Sequence, residues 1–513
     1  MNGAESLVAT ARAAGIEVCF ANPGTTELSL VSALDSIGGL RCVLGLFEGV
    51  CTGAADGYAR MAGRPALALL HLGPGLANGL ANLHNARRAH SPVVVVVGDH
   101  ASWHLAADAP LASDVVAVAA PFSRWVRRSR SARELAGDFA AALAAALEPP
   151  GGVATLVAPA DAQWEPADGP ARPARRAPAR GIGDGVEATA ARLRGARAPA
   201  LFLGADALGA EGLRAAARVA AATGAALWCE TFPGRLERGR GLPRVARLPY
   251  FPEQAALSLA RFDALVLAGA AQPVAFFGYP DGPSRLARAE SLVALAGPEH
   301  DAAGALAALA DALDAPKAPP LEDAAAPPAP GAGALDPGSL GAVLAALQPE
   351  GAIVVDESIS SGLGHFAAAE AAPPHTYLAL TGGAIGQGLP CAAGAALACP
   401  GRRVIALQAD GSALYTLQSL WTLAREGLDA VVVLLANHRY RILQVELARA
   451  GVAEPGPAAR AFTALAPPEI DWVGLSRSLG VPATRAATVE ELDRALRRAL
   501  AGSGPHLVEA VLP

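Results

Sequence analysis

The chain has 513 residues, a formal net charge of −6 and a composition that is 52% hydrophobic. At roughly 150 residues per domain, this length predicts three or four domains with buried cores. The negative balance, without a basic stripe that alternates with aromatic residues, argues against nucleic-acid binding.

The N-terminal residues and the apolar runs predict neither export nor membrane insertion. The first fifteen residues lack a basic start and an apolar core, so we expect no signal peptide. The longest apolar runs, such as Val93–Val97 and Ala430–Ala436, are too short to span a bilayer. The six cysteines show no C-x-x-C spacing, which is typical of reduced thiols. We therefore predict a cytoplasmic protein without a membrane partner.

Two stretches rich in proline, alanine and charge divide the chain, at about residues 165–185 and 315–338. Neither has apolar periodicity, so both are typical of exposed connectors. The predicted domains are residues 1–165, 186–314 and 339–513. In each of them short apolar runs alternate with helical patterns, which indicates parallel strands covered by helices on both faces. The predicted fold is therefore α/β, with three doubly wound parallel-sheet domains.

The predicted elements follow this pattern along the chain. A helix rich in small residues covers Glu48–Met61. The predicted strands lie within residues 66–73 and 91–100 of the first domain, 199–206 and 262–270 of the second, and 351–357, 402–411, 429–438 and 505–512 of the third.

Glu48 lies beside Leu46, Phe47 and Val50 at a predicted strand-to-helix junction. A carboxyl group in apolar surroundings is desolvated, which suits a group that must hold a proton. A glutamate at a helix N-terminus, where its charge favours the helix dipole, is the alternative explanation. The residues alone leave both open.

The segment LTGGAIGQGLPCAAG, residues 380–394, carries closely spaced glycines at positions 382, 383, 386 and 388. Glycine lets the backbone approach a ligand closely. A glycine-rich loop that leads into a close-packed helix, with no ligand, has the same pattern.

A β-α-β pattern follows, with a strand at Val404–Gln408, a helix at Ala413–Glu426 and a strand at Ala430–Leu435. Such crossovers are right-handed in nearly all proteins, so both strands end at the same edge of the sheet. Asp410 follows the first strand and Asn437 the second. We therefore expect the two side chains at one edge, where open α/β sheets bind ligands.

Carboxylate and amide oxygens at that edge are hard ligands that suit Mg²⁺ and its bridge to phosphate. The N–H groups of Gly411 and Ser412 can meet phosphate charge at the start of the helix. For Asp-Gly-Ser alone, an ordinary turn is the alternative; Asn437 after the next strand favours the metal site.

Together these motifs resemble the thiamine-diphosphate-dependent enzymes that include acetolactate synthase, benzoylformate decarboxylase and pyruvate decarboxylase. That family carries a G-D-G…N signature and a pattern close to E-x-x-x-x-x-A-A-D-G-Y-A-R, which begins at Glu48 here. This chain departs from the signature at Ala409, which replaces the first glycine, and at His438, which replaces a second asparagine. The resemblance covers almost the whole chain and implies pyrimidine-binding, central and diphosphate-binding domains in that order.

The resemblance implies thiamine diphosphate and Mg²⁺ as cofactors. It implies that Asp410, Asn437 and the main-chain carbonyl of Arg439 hold the metal, and that Ser360 contacts the diphosphate. It also implies a homodimer or homotetramer in which each cofactor bridges two subunits. The glycine pattern LGADALGAEG in the central domain is a weak match to a dinucleotide loop, so we expect no FAD.

The family's chemistry assigns roles to three further positions. Glu48 is implied to hydrogen-bond N1′ of the aminopyrimidine, so that the 4′-imino group can remove the C2 proton of the thiazolium. The carbonyl of Gly383 is implied to accept from the 4′-amino group. Ile385 is implied to be the apolar wedge that bends the cofactor.

The substrate is implied to be a small 2-oxo acid. His71 aligns with the active-site histidine of benzoylformate decarboxylase, which suggests a proton shuttle, although a lone histidine after a strand is more often structural. Thr25 aligns with the serine that binds substrate there. The pocket candidates after the metal ligands are bulky and apolar: Tyr440, Ile442 and Leu443.

Three functions remain open at this point. The first is a benzoylformate-decarboxylase-like enzyme that forms an acyl-anion (enamine) intermediate, and the second is a carboligase of the acetolactate-synthase type that makes 2-hydroxy ketones. The central stretch QPVAFFGYPDG lacks the second histidine of benzoylformate decarboxylase, and His100 and His104 are separated rather than paired as in pyruvate decarboxylase. The third is a non-catalytic relative, against which the joint retention of Glu48, Asp410 and Asn437 argues.

Overall fold

The computed structural model describes residues 1–172, 179, 181, 185–280, 282–321 and 326–513; parts of both predicted connectors, residues 173–178, 180, 182–184 and 322–325, lie outside them. The chain divides into two compact units, one of Met1–Arg176, Pro327–Ala369 and Leu380–Pro513 and one of Ala177–Ala326 and Glu370–Ala379. The three separate domain ranges stay a prediction. Within the described part of the chain, every helix is too short or too polar to span a lipid bilayer.

The first sheet has parallel strands in the order β2-β1-β3-β4-β6-β5. Every residue of β4 is buried, as a parallel strand covered on both faces requires. The strands are β1 Val18–Asn22, β2 Arg41–Leu44, β3 Ala66–His71, β4 Val93–Asp99, β5 Trp125–Arg128 and β6 Val153–Pro159. The helices are α1 Gly3–Ala13, α2 Leu28–Ile37, α3 Glu48–Ala62, α4 Leu72–Arg88, α5 Val115–Ala119, α6 Ala132–Leu147 and α7 Ala160–Trp164.

The second unit contains a parallel sheet in the order β10-β8-β7-β11-β12. Its strands are β7 Pro199–Leu203, β8 Ala226–Cys229, β9 Leu236–Arg238, β10 Ala246–Arg247, β11 Ala264–Ala268 and β12 Leu292–Ala296, of which β9 lies outside this sheet. The helices are α8 Val186–Arg194, α9 Ala210–Thr223, α10 Pro252–Ala260 and α11 Ala302–Ala312.

The C-terminal part of the chain forms parallel strands in the order β17-β18-β16-β15-β13, and β14 pairs antiparallel with β9. The strands are β13 Ile353–Glu357, β14 His375–Ala379, β15 Val404–Ala409, β16 Ala430–Ala436, β17 Ala483–Ala486 and β18 His506–Val511. The helices are α12 Pro337–Leu347, α13 Leu363–Ala368, α14 Gly388–Ala398, α15 Asp410–Ala413, α16 Ser419–Arg425, α17 Arg441–Arg449, α18 Pro457–Thr463, α19 Trp472–Ser478 and α20 Val489–Ala501. These parallel α/β sheets agree with the predicted fold class.

One predicted element is wrong in its length. The helix expected at Ala413–Glu426 is divided into α15 and α16, with turns between them. Within those turns the hydroxyl of Thr416 donates to the carbonyl of Gly386 at 2.8 Å. A tertiary contact with the glycine-rich segment thus accompanies the interruption of a sequence that has good local helix propensity.

Helix α3 packs against helix α14 through glycines, which joins the first sheet's layer to the C-terminal sheet's layer. A Cβ added at Gly57 would lie 2.1 Å from the carbonyl oxygen of Cys391, and one added at Gly394 would lie 1.9 Å from the carbonyl oxygen of Ala54. Neither position has room for a side chain because its neighbour is backbone. The small residues of the predicted helix therefore permit a close helix crossing.

A buried ion pair lies beside this crossing. Asp56 and Arg60, one turn apart on α3, are joined at 2.6 Å with side chains that are 0% and 2% exposed. Asp56 also accepts from Ser91 and from the side-chain amide of Gln387, and Arg60 donates to Thr381 at 2.9 Å. The pair therefore holds both ends of the segment that leads into α14.

We predict that Asp56→Ala lowers the free energy of unfolding by about 3–5 kcal/mol, because it leaves the charge of Arg60 buried without its carboxylate. The double replacement Asp56→Leu with Arg60→Leu removes both charges, so we expect a smaller loss. Urea denaturation followed by circular dichroism measures both. A single variant as stable as the wild type would contradict the importance of the pair.

Candidate functional site

The C-terminal sheet brings Asp410 and Asn437 to one edge, as predicted. Strands β15 and β16 are neighbouring and parallel, with Ala409 opposite Leu435. Asp410 follows the first strand directly, and Asn437 follows the second. The main-chain N–H of His438 donates to the Asp410 carboxylate at 2.7 Å, which brings the two strand ends into direct contact.

Oxygen atoms with fixed positions line this edge. The carboxylate of Asp410, 3% exposed, also accepts from the N–H of Gly411 at 2.8 Å. Burial raises the pKa of Asp410, and the hydrogen bonds from His438 and Gly411 act in the opposite direction. The side-chain oxygen of Asn437 accepts from the N–H of Arg439 at 3.1 Å. A carboxylate oxygen and an amide oxygen held in this way fit a hard divalent cation.

The residues expected at a diphosphate have different surroundings. The N–H of Gly411, expected to meet phosphate, donates to Asp410. Ser412 is buried, and its hydroxyl contacts Gln408 at 2.9 Å and the carbonyl of Ala409 at 3.1 Å. Ser360 is half-buried in the turn that follows β13.

The glycine-rich segment is held by Glu357, a residue that the sequence analysis did not identify. Glu357 ends β13 and is 1% exposed. Its carboxylate accepts from the N–H groups of Gly386 at 2.6 Å, Gln387 at 3.2 Å and Gly388 at 2.7 Å, and from the side chain of Gln408 at 2.8 Å. Burial raises the pKa of Glu357, and these hydrogen bonds act in the opposite direction. An acidic residue at the end of an apolar strand was the available signal.

Helix α4 holds the other side of the segment. Asn85 donates to the carbonyl of Ala384 at 2.8 Å and accepts from the N–H of the same residue at 3.2 Å. His84 contacts the carbonyl of Gly382 at 3.2 Å. Gly383, with φ of +74°, and the half-buried Ile385 flank Ala384 and are held with it.

Glu48 begins α3 at the strand-to-helix junction, as predicted. Its carboxylate accepts from the side-chain amide of Asn78 at 2.9 Å. The expected apolar surroundings are incomplete in the single chain, because Glu48 and Phe47 are only half-buried and Leu46 is 44% exposed. These side chains lie at the surface of the unit, which the sequence pattern could not indicate.

His71 ends β3 and pairs with a buried carboxylate that the sequence analysis missed. Its Nδ1 lies 2.8 Å from Glu27, whose side chain is 0% exposed. Thr26 lies 3.2 Å from the same nitrogen, whereas the predicted substrate residue Thr25 is exposed. A Cβ at Gly98 would lie 1.9 Å from the Glu27 carboxylate, so the neighbouring strand needs glycine there. The carboxylate therefore fixes the orientation of the His71 ring through Nδ1.

A second pair of histidines lies at the next strand end. The rings of His100 and His104, separated in the sequence, have centroids 5.4 Å apart because a short helix follows β4. The Nε2 of His100 is buried and has no hydrogen-bond partner within the described residues. Residues four positions apart meet in a helical turn, but no helix was predicted after this strand.

The expected pocket residues lie near the Asp410 turn to different degrees. The ring of Tyr440 packs over Gly411, where an added Cβ would lie 2.5 Å from it. Ile442 and Leu443 belong to α17; the first is half-buried and the second is 46% exposed.

Comparison with known proteins relates this arrangement to one group. Models described as "Thiamine pyrophosphate enzyme, N-terminal TPP binding domain" and "Thiamine pyrophosphate enzyme, C-terminal TPP binding domain" match residues 1–117 and 361–510. The "Putative acetolactate synthase large subunit IlvX" of Mycobacterium tuberculosis is 50% identical over 100% of this chain and 99% of that protein. Benzoylformate decarboxylase of Pseudomonas aeruginosa is 34% identical over 96% of each chain.

Among solved structures, the thiamine diphosphate-dependent 4-hydroxybenzoylformate decarboxylase of Rhodococcus jostii is similar over 100% of this chain and 99% of its own. The TM-score is 0.86 and the sequence identity is 28%. This similarity confirms the predicted fold class.

We predict that Glu357→Gln raises the amide exchange rates of Gly386, Gln387 and Gly388 and lowers the free energy of unfolding by about 1–3 kcal/mol. Glutamine replaces one carboxylate oxygen with an NH₂ group, which cannot accept a hydrogen bond from these backbone N–H groups. Hydrogen exchange with mass spectrometry measures the effect, with the exposed Glu350→Gln as the matched control. Unchanged exchange in this segment would contradict the anchoring role.

Proposed function

Since this chain belongs to the thiamine pyrophosphate enzyme family, we propose that it decarboxylates a 2-oxo acid with thiamine diphosphate and Mg²⁺, as a benzoylformate-decarboxylase-like enzyme. The observation that carries this proposal is the pair formed by His71 and the buried Glu27 at the edge of the first sheet. A decarboxylase must protonate its product carbon, and a histidine oriented by a carboxylate is suited to that step.

The Asp410 edge supports the metal and diphosphate part of the proposal. Asp410, Asn437 and the main-chain carbonyl of Arg439 would hold Mg²⁺, because the first two supply oxygens already fixed by backbone N–H groups. Ser360 and the turn at Gly411 and Ser412 would meet the diphosphate.

When bound, thiamine diphosphate would supply a carbon nucleophile and an electron sink for the electron pair that remains when CO₂ leaves. The chain supplies proton control and placement. Glu48 would hold a proton at N1′ of the aminopyrimidine, and the carbonyl of Gly383 would accept a hydrogen bond from the 4′-amino group. Ile385 would support the cofactor from below, and its segment is rigid because Glu357 and Asn85 hold it.

The substrate would meet His71 through Nε2, because Nδ1 is occupied by Glu27. Glu27 would hold the ring so that Nε2 faces the substrate, which would place a proton on Nε2 within reach of the product carbon. Thr25 would bind the substrate carboxylate. Tyr440, Ile442 and Leu443 offer apolar surface for an aryl or alkyl substituent.

A homodimer or homotetramer would complete the site. Within the described residues, the carboxylate of Glu48 accepts a hydrogen bond from Asn78. The carboxylate of Asp410 accepts from the N–H groups of Gly411 and His438. Exposed apolar side chains support burial by a second copy. They include Leu46, Leu363, Tyr415 and Leu443.

An acetolactate-synthase-type carboligase is the second candidate. The relative named as an acetolactate synthase large subunit is 50% identical, whereas the benzoylformate decarboxylase is 34% identical. The middle stretch QPVAFFGYPDG also lacks a histidine. A carboligase would transfer the acyl-anion unit to the carbonyl group of a second molecule instead of protonating it.

Single-turnover product analysis with pyruvate and benzoylformate tests the proposal. We expect CO₂ and benzaldehyde from benzoylformate, and a rate about 10²–10⁴-fold lower in Glu48→Gln because the proton relay is lost. A hydroxy ketone as the main product would favour the carboligase. If neither substrate releases CO₂, or if Glu48→Gln is fully active, the proposed mechanism is wrong.

For the proton shuttle, we predict that His71→Ala and Glu27→Gln each slow aldehyde formation about 10²-fold, while substrate decarboxylation falls less. The reason is that both changes remove the oriented proton donor but leave the cofactor residues intact. Stopped-flow CO₂ detection against aldehyde release separates the two steps, with the exposed Glu17→Gln as the control. Equal loss of both steps would argue for a purely structural pair.

A further inference from the structure

Asn82, in the middle of α4, connects two distant parts of the chain. It is 2% exposed. Its side-chain NH₂ donates to the carbonyl of Gly49 at 2.8 Å and to the carbonyl of Gly386 at 3.2 Å. Its side-chain oxygen accepts from Asn85 at 3.0 Å. Both polar atoms of this buried amide are therefore satisfied by the contacts that make the connection.

The carbonyls of Gly49 and Gly386 belong to two different segments of the proposed site. Gly49 follows Glu48 directly, and the backbone there is further tied to α4 through Thr52, whose hydroxyl lies 3.2 Å from the carbonyl of Glu48 and 3.0 Å from that of Gly79. Gly386 closes the segment that contains Gly383 and Ile385.

Neither end of the connection is free to adjust. The N–H of Gly386 is fixed by Glu357 at 2.6 Å, and its carbonyl also accepts from Thr416 at 2.8 Å. On the other side, a Cβ at Gly53 would lie 2.9 Å from the Asn82 amide, so α3 packs directly on it. A displacement of one segment is therefore transmitted to the other through a buried hydrogen-bonded amide.

We propose that Asn82 is a positioning residue that couples the two cofactor sites of the dimer. The inference rests on the proposed function and on the homodimer in which each cofactor bridges two subunits, so that one chain would contribute Glu48 to one cofactor and its glycine-rich segment to the other. Asn82 then joins, within each chain, a part of one site to a part of the second. Such coupling acts in both directions, so occupancy of either site orders both.

Hybrid dimers test this coupling, purified with a different affinity tag on each chain and titrated with thiamine diphosphate in saturating Mg²⁺ by calorimetry. A hybrid of wild-type and Asp410→Ala chains loses the metal ligand of one site, so half of its sites should bind, with the affinity of the first binding step of the wild-type dimer. In a hybrid of wild-type and Asn82→Ala chains, we expect both sites to bind about tenfold more weakly.

Two further measurements keep the result specific. Asn82→Asp has the same size but lacks both N–H donors, so it should weaken cofactor binding at both sites as Asn82→Ala does. Thermal unfolding establishes that each hybrid is folded. Wild-type affinity at half of the sites in the Asn82 hybrids would overturn the coupling alone. If the wild-type dimer does not bind the cofactor, or if both sites of the Asp410→Ala hybrid bind it, the proposed shared site is wrong. The coupling would then be wrong as well.

Discussion

Two buried carboxylates hold the glycine-rich segment, and the candidate site depends on the position of that segment. Asp56 binds Gln387 and is paired with Arg60, which donates to Thr381. Glu357 accepts three consecutive N–H groups of the same segment from the other side. Because a buried carboxylate is costly unless its oxygens are hydrogen-bonded, each acid strongly favours one backbone arrangement. The segment is therefore preorganised before any cofactor binds.

That arrangement also explains how one chain positions chemistry on two sheets. Helices α3 and α14 cross at backbone contact distance through Gly57 and Gly394, so the layer that carries Glu48 cannot shift freely against the layer that carries Asp410. The groups proposed for catalysis and metal binding lie at strand ends, where function can vary without changing the core. Asn82, in the middle of α4, joins the carbonyl of Gly386 to that of Gly49, the residue after Glu48.

Sequence patterns predicted the positions of side chains that directly follow a strand. The strand ends at Asp410 and Asn437 follow from the apolar periodicity and the handedness of the crossover, and the observed contact between Asp410 and His438 agrees with them. The pairing of His71 with Glu27 could not be predicted in this way, because 44 residues separate them and only the order β1-β3-β4 brings them together. The proximity of His100 and His104 has a local cause instead, a short helical turn after β4 that was not predicted.

The sequence by itself determined the α/β class, the parallel strands, the order of the motifs and the family, because apolar periodicity and short motifs are written in consecutive residues. Tertiary structure alone decided that Glu357 and Asp56 anchor the glycine-rich segment, that Glu27 partners His71, and that the expected helix after Asp410 is interrupted at Thr416. Each of these depends on hydrogen bonds between groups far apart in the chain. Which of these groups meet is set by the packing of the whole chain, and no local pattern encodes that packing.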